Sequence, residues 1–212
     1  SSPRSTKTQV PAEWLSPVMG DSDVSDVYGA IGVWPAAFVA AEEVMKYAGE
    51  KKGGDWSCLE LGCGAGFPSL VAAKRGAASV YALDTEQLTL DLLQAAFDQQ
   101  GQGRLIPLLG DAQDLPQEPL SSVPLVVVSD LLYSVPLGRA LGESLAKWLK
   151  GQERKLILTD GGRSGRWAFL EAFSEAHGSQ AYFEDVPVPP WAPQKGDFFD
   201  GSETATVGLL RY

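Results

Sequence analysis

Histidine is almost missing from this 212-residue sequence: His177 stands alone, and Cys58 and Cys63 are the only cysteines. With a single imidazole beside Gly178, no Ser/His/Asp relay and no zinc ligand set can be assembled, and His177 reads as a solvated helix end. The spacing of Cys58 and Cys63 fits neither a zinc site nor a C-x-x-C redox pair, so both read as reduced, buried thiols of an intracellular protein. Positive charge is scarce as well. Lys and Arg number 17 against 27 Asp and Glu, a net charge of −10. Such a field repels polyanions and excludes nucleic acid as the expected partner, whereas a basic protein surface is attracted. No apolar run approaches the roughly 18 to 20 residues that span a bilayer, so no membrane segment is expected. Asp21, Asp23 and Asp26 form an acidic stretch without the glycine of a calcium loop and read as a solvated loop. No metal is expected.

What is present is the composition of a soluble globular chain, 44% hydrophobic and 21% charged, long enough for one domain. Residues 1–27 read as a poorly ordered N-terminal extension, rich in Ser, Thr, Arg and Lys over its first residues, which suits a processed leader or an engineered boundary. Residues 28–212 read as the domain. Pro35 opens a helix to about Tyr47, because proline is tolerated in a first turn and apolar residues follow at helical spacing. Strands are expected at 56–61, 79–83, 104–109, 123–128 and 154–159, and helices at 67–75, 86–100, 137–150 and 165–176. Runs such as Leu125-Val126-Val127-Val128 lack polar alternation, as strands covered on both faces do. This predicts an α/β fold: a doubly wound, mostly parallel, seven-stranded Rossmann-like sheet. Two β-like runs at 180–186 and 203–211 around several prolines predict a C-terminal antiparallel hairpin closing the sheet edge.

The chain is organised around Cys58-Leu59-Glu60-Leu61-Gly62-Cys63-Gly64-Ala65-Gly66-Phe67-Pro68. An apolar strand ends in an acid, three glycines follow at spacing two, and a helix begins. Glycines let the backbone take positive φ and let a ligand approach closely, and the free N–H groups of the next helix face it. The spacing G-x-G-x-G differs from the G-x-G-x-x-G that seats a pyrophosphate, and Glu60 disfavours a phosphate. Both point to S-adenosylmethionine, which carries an ammonium and a sulfonium where a dinucleotide carries phosphates. Asp84 ends the next apolar run, where a carboxylate accepts hydrogen bonds from both ribose hydroxyls. Glu60, Gly62, Gly64, Gly66 and Asp84 are therefore candidate cofactor residues. The Gly turn resembles motif I of the class I, seven-β-strand methyltransferases.

Further candidates fall at the carboxyl ends of the strands, where open α/β sheets bind their ligands. Asp111 is placed to accept from an adenine amino group, or else caps a turn. Ser129 and Asp130 end the fourth strand, and Asp130 with Tyr133 forms one wall of an acceptor pocket, or else a turn former and a core residue. Trp34, before the first helix, either packs in the core or flanks the ligand.

Trp34-Pro35 ahead of the Gly turn, together with Asp130-Leu131-Leu132-Tyr133, resembles methyltransferase family 16. Lys147-Trp148-Leu149 and Asp160-Gly161-Gly162-Arg163 are most similar to its electron transfer flavoprotein β-subunit lysine methyltransferase branch, which tends to have Asp-Pro-Gly-Arg in the last of these. The resemblance, over roughly residues 28–212, implies methyl transfer from S-adenosylmethionine to a protein lysine, leaving S-adenosylhomocysteine. It implies a partner protein with an accessible lysine. The reduced cysteines place the protein in the cell interior, with the cytoplasm expected and an organelle the alternative. A monomer is expected. Asp130 would orient the incoming amine and Tyr133 would offer it a ring face or hydroxyl. The alternatives are a small-molecule N- or O-methyltransferase and a catalytically idle binding module. Adenine methylation is disfavoured, because Leu131-Leu132 stand where base methylation has Pro-Pro.

Overall fold

The computed structural model describes residues 32–51, 56–115, 118, 121–192 and 206–212. The expected N-terminal extension and its acidic stretch lie outside the described residues. Helix α1, Pro35–Glu50, precedes five parallel strands: β1 Ser57–Leu61, β2 Ser79–Asp84, β3 Leu105–Leu109, β4 Leu125–Ser129 and β5 Lys155–Asp160. Between or after them run α2 Phe67–Lys74, α3 Gln87–Gln100, α4 Val135–Leu149 and α5 Arg166–His177, and the chain closes with β6 Glu184–Pro187 and β7 Thr206–Arg211. The sheet order is β3-β2-β1-β4-β5-β7-β6.

Successive residues of each central strand feed opposite faces of this sheet. Cys58, Leu125, Val127 and Ile157 pack into one core with α1, α2 and α3. Leu59, Val126, Val128 and Leu158 pack into the other with α4 and α5. Both faces are apolar, which is why the strands show no polar alternation in sequence. Pro107 is tolerated inside β3 because that strand is at the sheet edge.

Two local features differ from the sequence reading. Helix α4 begins at Val135, not 137, because Ser134 caps it by accepting from the Leu137 N–H and Pro136 sits in the first turn where its missing donor costs nothing. The C-terminal antiparallel hairpin closes the sheet edge as expected, but its first strand is shorter, Glu184–Pro187 in place of 180–186. Strand β7 inserts antiparallel between β5 and β6, so the last strand of the chain is interior to the sheet and β6 forms the edge. Arg211 of β7 reaches across to Glu43 of α1, its Nε 2.6 Å from Oε2, and fastens this late strand to the first helix.

Helices α4 and α5 approach so closely that glycine is required between them. A Cβ on Gly138 would lie 2.2 Å from the carbonyl oxygen of Gly165, and one on Gly142 would lie 2.6 Å from that of Phe169. Both obstacles are backbone, so only a shift of a whole helix relieves them. Gly138→Ala is expected to cost about 2 kcal/mol and to lower the melting temperature by roughly 5 °C, read by thermal denaturation. An unchanged melting curve would show that the two helices separate freely.

Neighbouring strands β1 and β4 are where the chain's winding reverses: β2 and β3 extend the sheet one way, β5 and β7 the other. The loops after β1 and β4 diverge at that point and leave a crevice.

Candidate active site

The Gly turn forms one wall of the crevice. Gly62 and Gly66 have φ of +63° and +62°, and a Cβ on either would also press into Leu131 or Leu93 at 2.4 Å. Glycine is therefore needed there for both conformation and space. Because Gly66, the N-cap of α2, has no side chain, the cap comes from the strand. The Glu60 carboxyl accepts from the Ser69 N–H at 3.0 Å and from the Ser69 hydroxyl. Glu60 is 1% exposed, and burial pushes its pKa up to about 8 against the hydrogen bonds from Ser69, so the group carries a proton at neutral pH. Glu60 is thus a neutral cap for α2.

A folded pKa raised above the unfolded value means that Glu60 favours the folded state fully below about pH 4.5, and that this contribution is lost as pH rises toward 8. Glu60→Gln should therefore flatten the decline in stability between pH 5 and 8. Melts of both proteins across that range check it, and parallel curves would mean that Glu60 ionises normally.

Asp84, at the tip of β2, ties the turn from the other side. Its Oδ2 accepts from the Gly64 N–H at 2.9 Å, and its Oδ1 accepts from the Glu86 N–H at 3.1 Å. Its remaining lone pairs border a cleft of about 380 Å³, which Gly62, Thr85, Asp111, Ala112, Gln113 and Leu131 also line. That volume lies in the range of small-ligand sites. Asp111 both borders the cleft and forms a turn, its Oδ1 accepting from the Gln113 N–H at 2.8 Å. The turn-forming alternative is therefore present, at a position that faces the cleft.

A second, smaller chamber of about 40 Å³ adjoins this cleft across Gly62, Gly64 and Tyr133. Trp34, Glu60, Gly66, Ser129 and Asp130 line it. Trp34, the N-cap of α1, is only partly buried. All ten residues singled out in the sequence thus lie along one crevice, Asp84 and Asp111 at its wide end and Trp34, Ser129 and Asp130 at its narrow end.

Asp130 differs from its expected role. It is the one non-glycine with positive φ, +54°, among the described residues, and it is 6% exposed. Its carboxylate is already engaged: Oδ1 accepts from the Gly161 N–H at 3.0 Å and from Arg163 Nε at 3.1 Å, and Oδ2 accepts from Arg163 Nη2. The guanidinium lies 5.6 Å from the Trp34 ring centre and 5.3 Å from that of Tyr133. A free carboxylate awaiting an amine is replaced by a two-pronged ion pair flanked by aromatic rings. Desolvation and the nearby Asp130 raise the pKa of the Tyr133 phenol, which stays protonated at neutral pH. Arg163 was visible in sequence only as part of Asp160-Gly161-Gly162-Arg163. The signal that could have marked it is a lone cation just beyond a strand end at the ligand edge of the sheet.

The residues fit S-adenosylmethionine. Asp84 offers acceptors for ribose hydroxyls, and the turn around Asp111 and Ala112 offers a wall for adenine. Among the described residues no group of three His, Cys, Asp or Glu is placed to hold a metal ion, and no helix is long and apolar enough to cross a membrane.

Residues 58–152 match the family described as a methyltransferase domain. Similar solved structures include magnesium protoporphyrin IX methyltransferase from Synechocystis PCC 6803 with bound S-adenosylmethionine, 18% identical at a TM-score of 0.59, covering 94% of this chain and 88% of that one. Geranyl diphosphate methyltransferase in complex with S-adenosylmethionine is 12% identical at 0.60, covering 82% and 84%. Precorrin-6y C5,15-methyltransferase from Geobacter metallireducens is 17% identical at 0.55, covering 81% and 85%. Identities this low carry the likeness of fold alone. No curated protein sequence matches the chain. The chain thus has the seven-strand, Rossmann-like fold of these S-adenosylmethionine-dependent methyltransferases, and the part that matches the methyltransferase-domain family carries the acid-flanked Gly turn.

Proposed function

We propose that this protein is an S-adenosylmethionine-dependent methyltransferase that acts on a lysine side chain of a partner protein, as its resemblance to the lysine-modifying branch of family 16 implies. The observation that carries the reading is the narrow chamber. At about 40 Å³ it is far narrower than the adjoining cleft of about 380 Å³. Such a space suits a thin side chain entering end-on. Tyr133, which lines it, is 59% exposed and Val135, two residues on, is 54% exposed, a surface on which another macromolecule can rest. The net charge of −10 favours a basic acceptor surface.

S-adenosylmethionine, when bound, supplies an electrophilic methyl carbon on a sulfonium. The acceptor nitrogen forms its bond to that carbon as the carbon–sulfur pair returns to sulfur, leaving a thioether and a methylammonium that then loses its proton to water. The protein's part is alignment and exclusion of water. A lysine amine with a reference pKa near 10.4 is protonated at pH 7, and presenting it neutral costs about 4 to 5 kcal/mol. Desolvation in the chamber and a neighbouring positive charge both reduce that cost.

A small-molecule acceptor is the second reading, because the similar solved structures named above act, by their names, on porphyrin, terpenoid and corrin-type compounds. Incubation of the purified protein with methyl-labelled S-adenosylmethionine and cell lysate separates the two. Label in the protein fraction, recovered as methyllysine after hydrolysis, is expected. Label confined to the small-molecule fraction would transfer the assignment to the second reading, and no binding of the nucleoside at all would point to an idle module.

A further inference from the structure

Asp130 presents a chemical conflict that the lysine reading makes sharp. An ionised carboxylate on the chamber wall stabilises an ammonium, yet methyl transfer needs the amine's lone pair. The structure answers with Arg163. We propose that Arg163 is a positioning residue that keeps the acceptor amine unprotonated, by matching the Asp130 carboxylate charge for charge so that the chamber wall is not a net anion. This rests on the lysine reading above.

The geometry supports a dedicated pairing. Two guanidinium nitrogens take the two carboxylate oxygens separately, and the Gly161 N–H takes a further lone pair of Oδ1. Asp130 is thereby turned toward the loop after β5, with little capacity left for an incoming cation. The loop itself is fixed. Asp160 Oδ2 accepts from the Gly162 N–H at 2.8 Å and the Arg163 N–H at 3.0 Å, which sets the start of the Arg163 side chain. Trp34 and Tyr133 flank the guanidinium, a setting that holds a planar cation in place.

The other charged or titratable groups around the pair do not supply the offset. On the β5 side, Arg166 is spent on Asp160, its Nε 2.7 Å from Oδ2. Across the crevice stand further acids, Asp84 and Glu60, the latter protonated. Tyr133 remains a neutral phenol, and Asp130 raises the pKa of Arg163 further, so that cation persists at any pH the protein meets. Arg163 is thus the one cation facing Asp130 among the described residues that contacts it.

Sinefungin tests this directly, because it is an analogue in which a carbon bearing an amine replaces the sulfonium and its methyl, so its amine probes the transfer point. The readout is the ratio of the Kd of S-adenosylhomocysteine to that of sinefungin, measured by calorimetry at pH 7 and pH 9.5. Arg163→Met leaves Asp130 unmatched and should shift the ratio toward sinefungin by about fivefold or more at pH 7, with a smaller shift at pH 9.5. Arg163→Lys should stay near the wild-type ratio. Asp130→Asn leaves an unmatched cation and should shift the ratio the other way. This variant creates no unpaired buried carboxylate and so decides the matter if Arg163→Met does not fold. Ratios within twofold of wild type in the folded variants, with S-adenosylhomocysteine still bound, would overturn the proposal and leave Arg163 a structural residue. If the ratios shift as expected but lysate labelling yields no methyllysine, the charge matching stands and the acceptor is a different amine. If wild-type protein binds neither nucleoside, the cofactor assignment itself falls.

Discussion

Asp84→Ala is expected to weaken S-adenosylmethionine binding by at least ~100-fold. Hydrogen bonds to a charged group contribute about 1.5 to 3 kcal/mol each, and a carboxylate taking two ribose hydroxyls supplies two of them. The same substitution frees the Gly64 N–H that Oδ2 now holds at 2.9 Å, so the turn facing the ligand loses an anchor on its β2 side. Calorimetry measures the affinity, and a melting curve in the absence of ligand separates lost binding from lost fold. Asp84 lies at a strand tip, partly buried, and the sheet does not depend on its side chain. A folded Asp84→Ala protein that binds within a few-fold of wild type would place the ribose elsewhere, and the reading of the wide cleft would fail.

Asp160→Ala should give the largest loss of stability. Asp160 ends β5 with 0% exposure, and Oδ2 alone serves Gly162, Arg163 and Arg166. Removing one partner of a buried pair leaves the other charge uncompensated, at a cost of about 3 to 5 kcal/mol. For a chain of this size that lowers the melting temperature by roughly 10 °C. Activity should fall beyond what unfolding explains, because the loop carrying Arg163 loses the two hydrogen bonds that shape it. A shift under about 2 °C would show that Arg166 finds another partner or solvent, and that the loop holds its form unaided.

These two carboxylates show what one sequence can and cannot declare about itself. The position of Asp84 was legible, because a lone acid closing an apolar strand one βα unit after a Gly turn falls at the ligand edge of the sheet. Asp160 and Arg163 were legible only as a short string resembling a known branch. Their pairings run to different partners, Asp160 with Arg166 six positions on and Arg163 with Asp130 thirty-three positions back, and no local pattern distinguishes such choices. Glu60 lines the crevice, but its protonation is not written in the sequence. Its neighbour Ser69 and the depth of its burial set its protonation, and both depend on how α2 docks against β1.

The amino-acid order by itself determined the alternation of strand and helix, the parallel core and the Gly turn. Each is written within a window of a few residues, in hydrophobic period and in the special φ that only glycine takes without strain. Only the tertiary structure decided that the final strand slips between β5 and β6, that Gly138 exists to let two helices touch, and that Asp130 faces an arginine. Those outcomes depend on distance in space between residues far apart in the chain, and on which charges meet once water has been driven out.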